Sequence, residues 1–172
     1  MDKRTFKTQL AIKSAFLTLA AEQGSDGIYK VHVNDLCRKA IINKSTFYRH
    51  YEDIPRLIET MRAELADDIF QSVTRRDTLF SAPDEFLKAI RYAVREKEQE
   101  IMILFPSESL WSLLERLNYK LIEYYNNRSA SLEVSAKISF MLGGASYVAI
   151  QHRHDDPKEI DRIVAEMIQK LR

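Results

Sequence analysis

Between Phe6 and Gln23 the apolar residues Ile12, Ala15, Phe16, Leu19 and Ala20 recur at three- and four-residue spacing, the stripe of a helix that buries one face. Gly24, Ser25, Asp26 and Gly27 then end it, because glycine reaches the positive φ that a helix end often needs. A second helix starts at His32 or Val33 and turns Val33, Leu36, Cys37 and Ala40 inward. A third, Lys44–His50, is short, with Asn43 placed to cap it by accepting from the amides of Ser45 or Thr46. Phe47 is its main apolar anchor, and Tyr51 closes it. Asp53 followed by Pro55 opens a fourth helix over residues 53–74, with Leu57, Ile58, Met61, Leu65 and Ile69 on its inner face. At ~1.5 Å per residue it would run about 30 Å, enough to link two halves of the chain.

The remainder reads as a helical bundle. Pro83 and Asp84 open a helix with Phe86, Leu87, Ile90, Ala93 and Val94 on one side, and Phe105, Pro106 and Ser107 break the chain. Residues 108–125 carry Leu110, Trp111, Leu114, Leu117, Leu121 and Ile122, and a polar connection follows over residues 126–131. Leu132–Gln151 is the most apolar helix, with Gly143, Gly144, Ala145 and Ser146 at its middle. The last helix, over residues 157–171, carries Ile160, Ile163, Val164, Met167, Ile168 and Leu171. The expected fold class is therefore all-α: a three-helix head over residues 1–52 and a helical bundle over residues 53–172. Only 4 Gly and 4 Pro in 172 residues agree with long helices. No internal repeat or low-complexity tract is present.

Charge changes this picture more than composition does. The net charge is +1, yet residues 1–51 hold nine Lys and Arg against four acids, whereas residues 52–172 hold 17 against 21. A basic head on an acidic body points to nucleic acid at the head. The single cysteine, Cys37, excludes an intramolecular disulfide framework and a Cys-rich zinc site, and a small apolar residue suits its place between Val33 and Ala40. The opening MDKRTFKTQL lacks the apolar stretch of a signal peptide, and no run reaches the length of a membrane span. A cytoplasmic protein without membrane contact is expected.

Two short helices joined by a three-residue turn form a helix-turn-helix that suits major-groove insertion. The second of them is dense in hydrogen-bonding groups: Lys44, Ser45, Thr46, Tyr48, Arg49 and His50. One anchor, Phe47, cannot account for so polar a helix by burial. Short hydroxyls let the backbone approach phosphate, Lys44 and Arg49 reach phosphates or guanine edges, and Tyr48 meets a phosphate or a thymine methyl. The DNA-binding candidates are His32, Asn43, Lys44, Ser45, Thr46, Tyr48, Arg49 and His50.

The segment of residues 33–51, above all Lys44, Ser45, Thr46, Phe47, Tyr48, Arg49, His50 and Tyr51, resembles the signature of the TetR family of transcriptional regulators. Ile12, Ala15, Leu19 and Gly24 extend the resemblance upstream, and residues 139–144 and the helix beginning at Pro157 extend it loosely to the end. Three positions depart from the pattern. Ile41 stands where a turn glycine is usual, His32 replaces a Thr cap, and Ile54 and Pro55 stand where a phosphate-binding Lys is common.

The resemblance implies a homodimer that binds a palindromic double-stranded DNA operator, acts as a repressor and is released by an effector in the C-terminal bundle. It implies a pocket, for which the candidates are Phe86, Tyr92, Phe105, Trp111, Tyr119, Phe140 and Tyr147. It also implies a two-helix dimer surface, for which Phe140, Gly143, Gly144, Tyr147, Ile160, Ile163, Val164 and Met167 are the candidates. An adaptor that binds another regulatory protein is the alternative, and a ligand-binding or catalytic bundle without DNA activity is a third reading. No phosphate loop, nucleophile elbow or HExxH motif supports an enzyme. No cofactor is expected, and His152, Arg153, His154, Asp155 and Asp156 read as a polar turn, since an i, i+2 His pair does not share a helical face.

Overall fold

The computed structural model describes residues 3–24, 26–106, 110–126, 131–152 and 154–170. Among these residues the fold is all-α, as the periodicity predicts: α1 Lys3–Glu22, α2 Val33–Lys39, α3 Lys44–His50, α4 Ile54–Ser72, α5 Pro83–Glu96, α6 Glu98–Leu104, α7 Leu110–Asn126, α8 Leu132–Gln151 and α9 Pro157–Gln169, with single 3-10 turns at Gly27–Tyr29 and Arg76–Thr78. The expected start of α7 at Glu108, most of the 126–131 connection, Ser25, Ser107, Arg153 and Leu171 lie outside the described residues. By packing, the chain divides into two compact units, residues 1–65 with 98–109 and residues 66–97 with 110–172.

In the first unit α1 packs on the 27–29 turn and on α2, α2 on α3, and α6 on α1. The predicted inner faces are buried: Ile12, Phe16 and Ala20 of α1, Leu36 and Cys37 of α2, Phe47 of α3, and Leu57, Ile58, Met61 and Leu65 of α4. Gly27 is required by space. A Cβ there would lie 1.9 Å from the carbonyl oxygen of Ala20, so the return of the chain onto α1 admits no side chain. Gly24 takes the positive φ of 80° that ends α1.

The sequence reading missed α6 as a separate helix. Lys97 leaves helical geometry at φ −111° and ψ 11°, which ends α5 without Gly or Pro. Ile101, Leu104 and Phe105 then bury their side chains in the first unit. Arg62 holds the end of α6: its Nε donates to the Leu104 carbonyl at 2.8 Å and its guanidinium lies 5.3 Å from the Phe105 ring centre. A carbonyl that the helix end leaves free is thereby satisfied.

The second unit pairs α5 with α9, α7 with α8 and α8 with α9. Its core includes Ile69, Leu79, Phe86, Leu117, Leu121, Ile138, Val164 and Ile168. Arg91 pairs with Asp161 between α5 and α9. Arg76 stacks over Phe70 at 5.0 Å and over Tyr124 at 5.5 Å, while the Tyr125 hydroxyl donates to the Arg76 carbonyl at 2.9 Å. Two helices here have true side-chain caps. Ser131 Oγ accepts from the Val134 amide, and Asp156 accepts from the Lys158 amide at 2.9 Å.

The inner face of α7 differs from the expectation. Leu113, Leu117 and Leu121 are buried, whereas Trp111 is exposed. A Leu-rich helix offers two adjacent stripes at helical spacing, and packing on α8 selects one of them.

Candidate nucleic-acid interface

The helix-turn-helix is built on Phe47. Its side chain is fully buried and meets Tyr48 edge-on at 5.4 Å between ring centres and Tyr51 at 5.9 Å. Burying one Phe contributes about 2–3 kcal/mol, enough to hold a seven-residue helix that would not form alone. With that anchor inside, Lys44, Ser45, Tyr48 and Arg49 are exposed, and Thr46 and His50 are half-buried.

The turn before α3 closes α2 by a pair of hydrogen bonds. The Ile42 amide donates to the Cys37 carbonyl at 3.0 Å and the Ile41 amide to the Arg38 carbonyl at 3.3 Å. This is the Schellman arrangement, which puts the residue at Ile41 into the left-handed region. Ile41 indeed has φ 55°, the one positive φ of a non-glycine residue among those described. The departure flagged in the sequence is therefore a real strain, of about 1–2 kcal/mol for a β-branched residue.

Asn43 is the N-cap of α3, with extended geometry, but its side chain makes no capping bond. Its backbone carbonyl instead accepts from the amides of Thr46 and Phe47, at 2.9 and 3.1 Å. The expected side-chain cap is thus absent, and Asn43 is exposed. His32 likewise occupies the N-cap of α2 without a side-chain bond. Asp53 does cap: its Oδ1 accepts from the Arg56 amide at 2.7 Å at the start of α4.

An open groove of 720 Å³ runs beside α3. Arg4, Thr5 and Thr8 of α1, Cys37 and Arg38 of α2, Ile41, Ile42 and Asn43 of the turn, and Thr46, Arg49 and His50 of α3 line it. The structure so brings together Asn43, Thr46, Arg49 and His50 among the predicted residues. Lys44, Ser45 and Tyr48 are exposed on α3 without lining this groove, and His32 stands at the far end of α2. Arg4, Thr5, Thr8 and Arg38 were not singled out from the sequence. The basic start of the chain was the available signal, but only the packing of α1 shows which of its residues face α3.

Electrostatics here are those of an exposed basic surface. Arg38 pairs with Asp35 at 2.8 Å and Lys39 with Glu22 at 3.0 Å, both solvated pairs worth under about 1 kcal/mol. Burial pushes the Cys37 thiol up, against the opposing pull of Lys44, so it stays protonated and unreactive. Among the described residues no group of His, Cys, Asp and Glu could hold a metal ion, and no helix is long and apolar enough to cross a membrane.

The structure does not gather the seven aromatic pocket candidates. Phe105 is buried in the first unit, and Phe86 is buried in the second. Tyr92, Trp111, Tyr119, Phe140 and Tyr147 are each more than half exposed. Phe86 lines an apolar cavity with Phe70, Val73, Arg76, Ile90, Leu117, Leu121 and Leu142, but its 10 Å³ hold at most about one water. Of the dimer candidates, Ile160 and Val164 are spent on the core of their own unit. Phe140, Gly144, Tyr147 and Met167 are exposed, Gly143 and Ile163 are half-buried, and a Cβ on either glycine would meet nothing within 4 Å.

No family model matches the sequence. Over 118 residues, 69% of this chain, it is 29% identical to an "Uncharacterized HTH-type transcriptional regulator YxbF" of Bacillus subtilis (strain 168). The chain spans under a third of the length of that relative, 28% of it. A crystal structure of a "putative tetR family transcription regulator" from Shewanella sp. PV-4 superposes with a TM-score of 0.59 at 14% identity, over 95% of this chain and 96% of that one. The chain is therefore TetR-like in fold and is related in sequence to a helix-turn-helix transcriptional regulator.

Proposed function

We propose that the chain is a DNA-binding transcriptional regulator that places Lys44–His50 in the major groove and acts as a homodimer on a palindromic operator. The observation that supports this most is α3 itself, whose one buried anchor leaves six hydrogen-bonding side chains, Lys44 and Arg49 among them, to solvent or to the basic groove. A twofold dimer would present two such heads to half-sites about one helical turn apart. Support for the dimer comes from α8, where Phe140, Gly144 and Tyr147 form an exposed apolar stripe at helical spacing; Met167 of α9 is exposed as well. The reading as a repressor follows the resemblance alone. Selection of bound sequences from a random duplex pool tests the proposal. An enriched palindrome is expected, and recovery of no enriched sequence at low salt would reject it.

A second reading, an adaptor that binds another regulatory protein, has its own observation. Tyr92, Trp111 and Tyr119 are exposed on α5 and α7, outside the α8 stripe, and the cavity at Phe86 is too small for an effector. Failure to bind any duplex, combined with loss of a protein complex on Trp111→Ala, would move the assignment to this reading.

A further inference from the structure

Ile41 carries two costs that folding does not repay. Its backbone stands at φ 55°, where the branched Cβ crowds the chain, and its side chain is 91% exposed, so burial returns nothing. The geometry of the turn asks only for the left-handed conformation, which glycine supplies freely. The same side chain borders the basic groove, beside Arg4, Arg38, Asn43, Thr46 and Arg49. Every one of those neighbours offers a charge or a hydrogen bond; Ile41 offers only methyl groups.

The major-groove edge of a base pair presents one apolar group, the 5-methyl of thymine, among donors and acceptors. We infer that Ile41 is a specificity-determining residue that packs against the 5-methyl group of one thymine in each half-site. The inference rests on the DNA-binding reading above and adds to it a base that the turn, not α3, selects. The surrounding cations hold the duplex against the groove, and the apolar contact then discriminates thymine from the other bases.

The test compares the protein with its Ile41→Gly and Ile41→Asn variants on a duplex recovered by selection, with each thymine of a half-site replaced in turn by deoxyuridine. Both variants keep a residue tolerant of the left-handed turn, so the fold is retained. At one thymine the exchange is expected to weaken the native protein about fourfold, the loss of one methyl contact, and to leave both variants unaffected. The melting temperature of Ile41→Gly should be equal to or a few degrees above that of the native protein. Two results would overturn the inference while sparing DNA binding: variants that keep the native affinity and thymine sensitivity, or a native protein indifferent to every deoxyuridine exchange. A lower melting temperature for Ile41→Gly would also overturn it, since the side chain would then serve the fold. If the native protein binds no duplex, this inference falls together with the reading beneath it.

Discussion

Tyr51 ends α3 with its ring 4% exposed and its hydroxyl without a hydrogen-bond partner among the described residues. Burial, and after it the charge of Glu64, pushes its pKa up to about 12. An unfolded tyrosine ionises near 10, so the folded protein holds this proton more tightly. The stabilisation is complete below about pH 10 and is lost as the pH rises from about 10 to 12, to the extent of about 2–3 kcal/mol. Tyr51→Phe should flatten that loss in thermal melts at pH 8 and 11. It should cost no stability at neutral pH, because a buried hydroxyl without a partner contributes little. A large destabilisation of Tyr51→Phe at pH 8 would show a hydroxyl contact that the structure lacks. Gly27 makes the opposite prediction. Its absent Cβ leaves room for the Ala20 carbonyl, a backbone atom that cannot swing aside, so Gly27→Ala should destabilise by about 3 kcal/mol or more in urea unfolding.

Among the elements, α3 and α8 have the bounds that the sequence predicts, Lys44–His50 and Leu132–Gln151. Both are legible because clear signals flank them: Asn43 and Tyr51 around α3, and Ser131 before α8. The inner face of α4 was equally legible, since Leu57, Ile58, Met61, Leu65 and Ile69 allow one stripe only and all are buried. The break between α5 and α6 was not, because Lys97, whose φ of −111° and ψ of 11° end α5, carries no breaker chemistry. The Asn43 cap failed for a related reason. Residue type makes a capping bond available, but the side-chain rotamer is free to face solvent instead. At the site, the residues of α3 could be read from polarity in a basic head. The contribution of α1 could not, since Arg4, Thr5 and Thr8 reach the groove only through packing on α2. The aromatic residues were the least legible, because spacing alone does not tell core from surface: Phe86 and Phe105 are buried, whereas Trp111, Tyr119 and Phe140 are exposed.

For the whole molecule, association and DNA binding are the properties to measure. Tyr147→Glu places a charge on the exposed stripe of α8, at a residue that is 55% exposed. It should shift the protein from dimer to monomer in sedimentation equilibrium, with helicity unchanged, and a persistent dimer would place the interface elsewhere. Arg49→Ala alters an exposed side chain of α3 and should melt at the native temperature, whereas Tyr48→Ala also removes the edge-on contact with Phe47 and should melt a few degrees lower. The central claim, that Lys44–His50 is a DNA-reading helix, is tested most directly by titrating a selected duplex with the native protein and with Arg49→Ala across a series of salt concentrations. The account predicts an affinity that falls steeply with salt, and for Arg49→Ala a weaker affinity with a slope shallower by about one counterion per subunit or with relaxed sequence preference. Identical titration curves for the two proteins, at a native melting temperature for both, would contradict it.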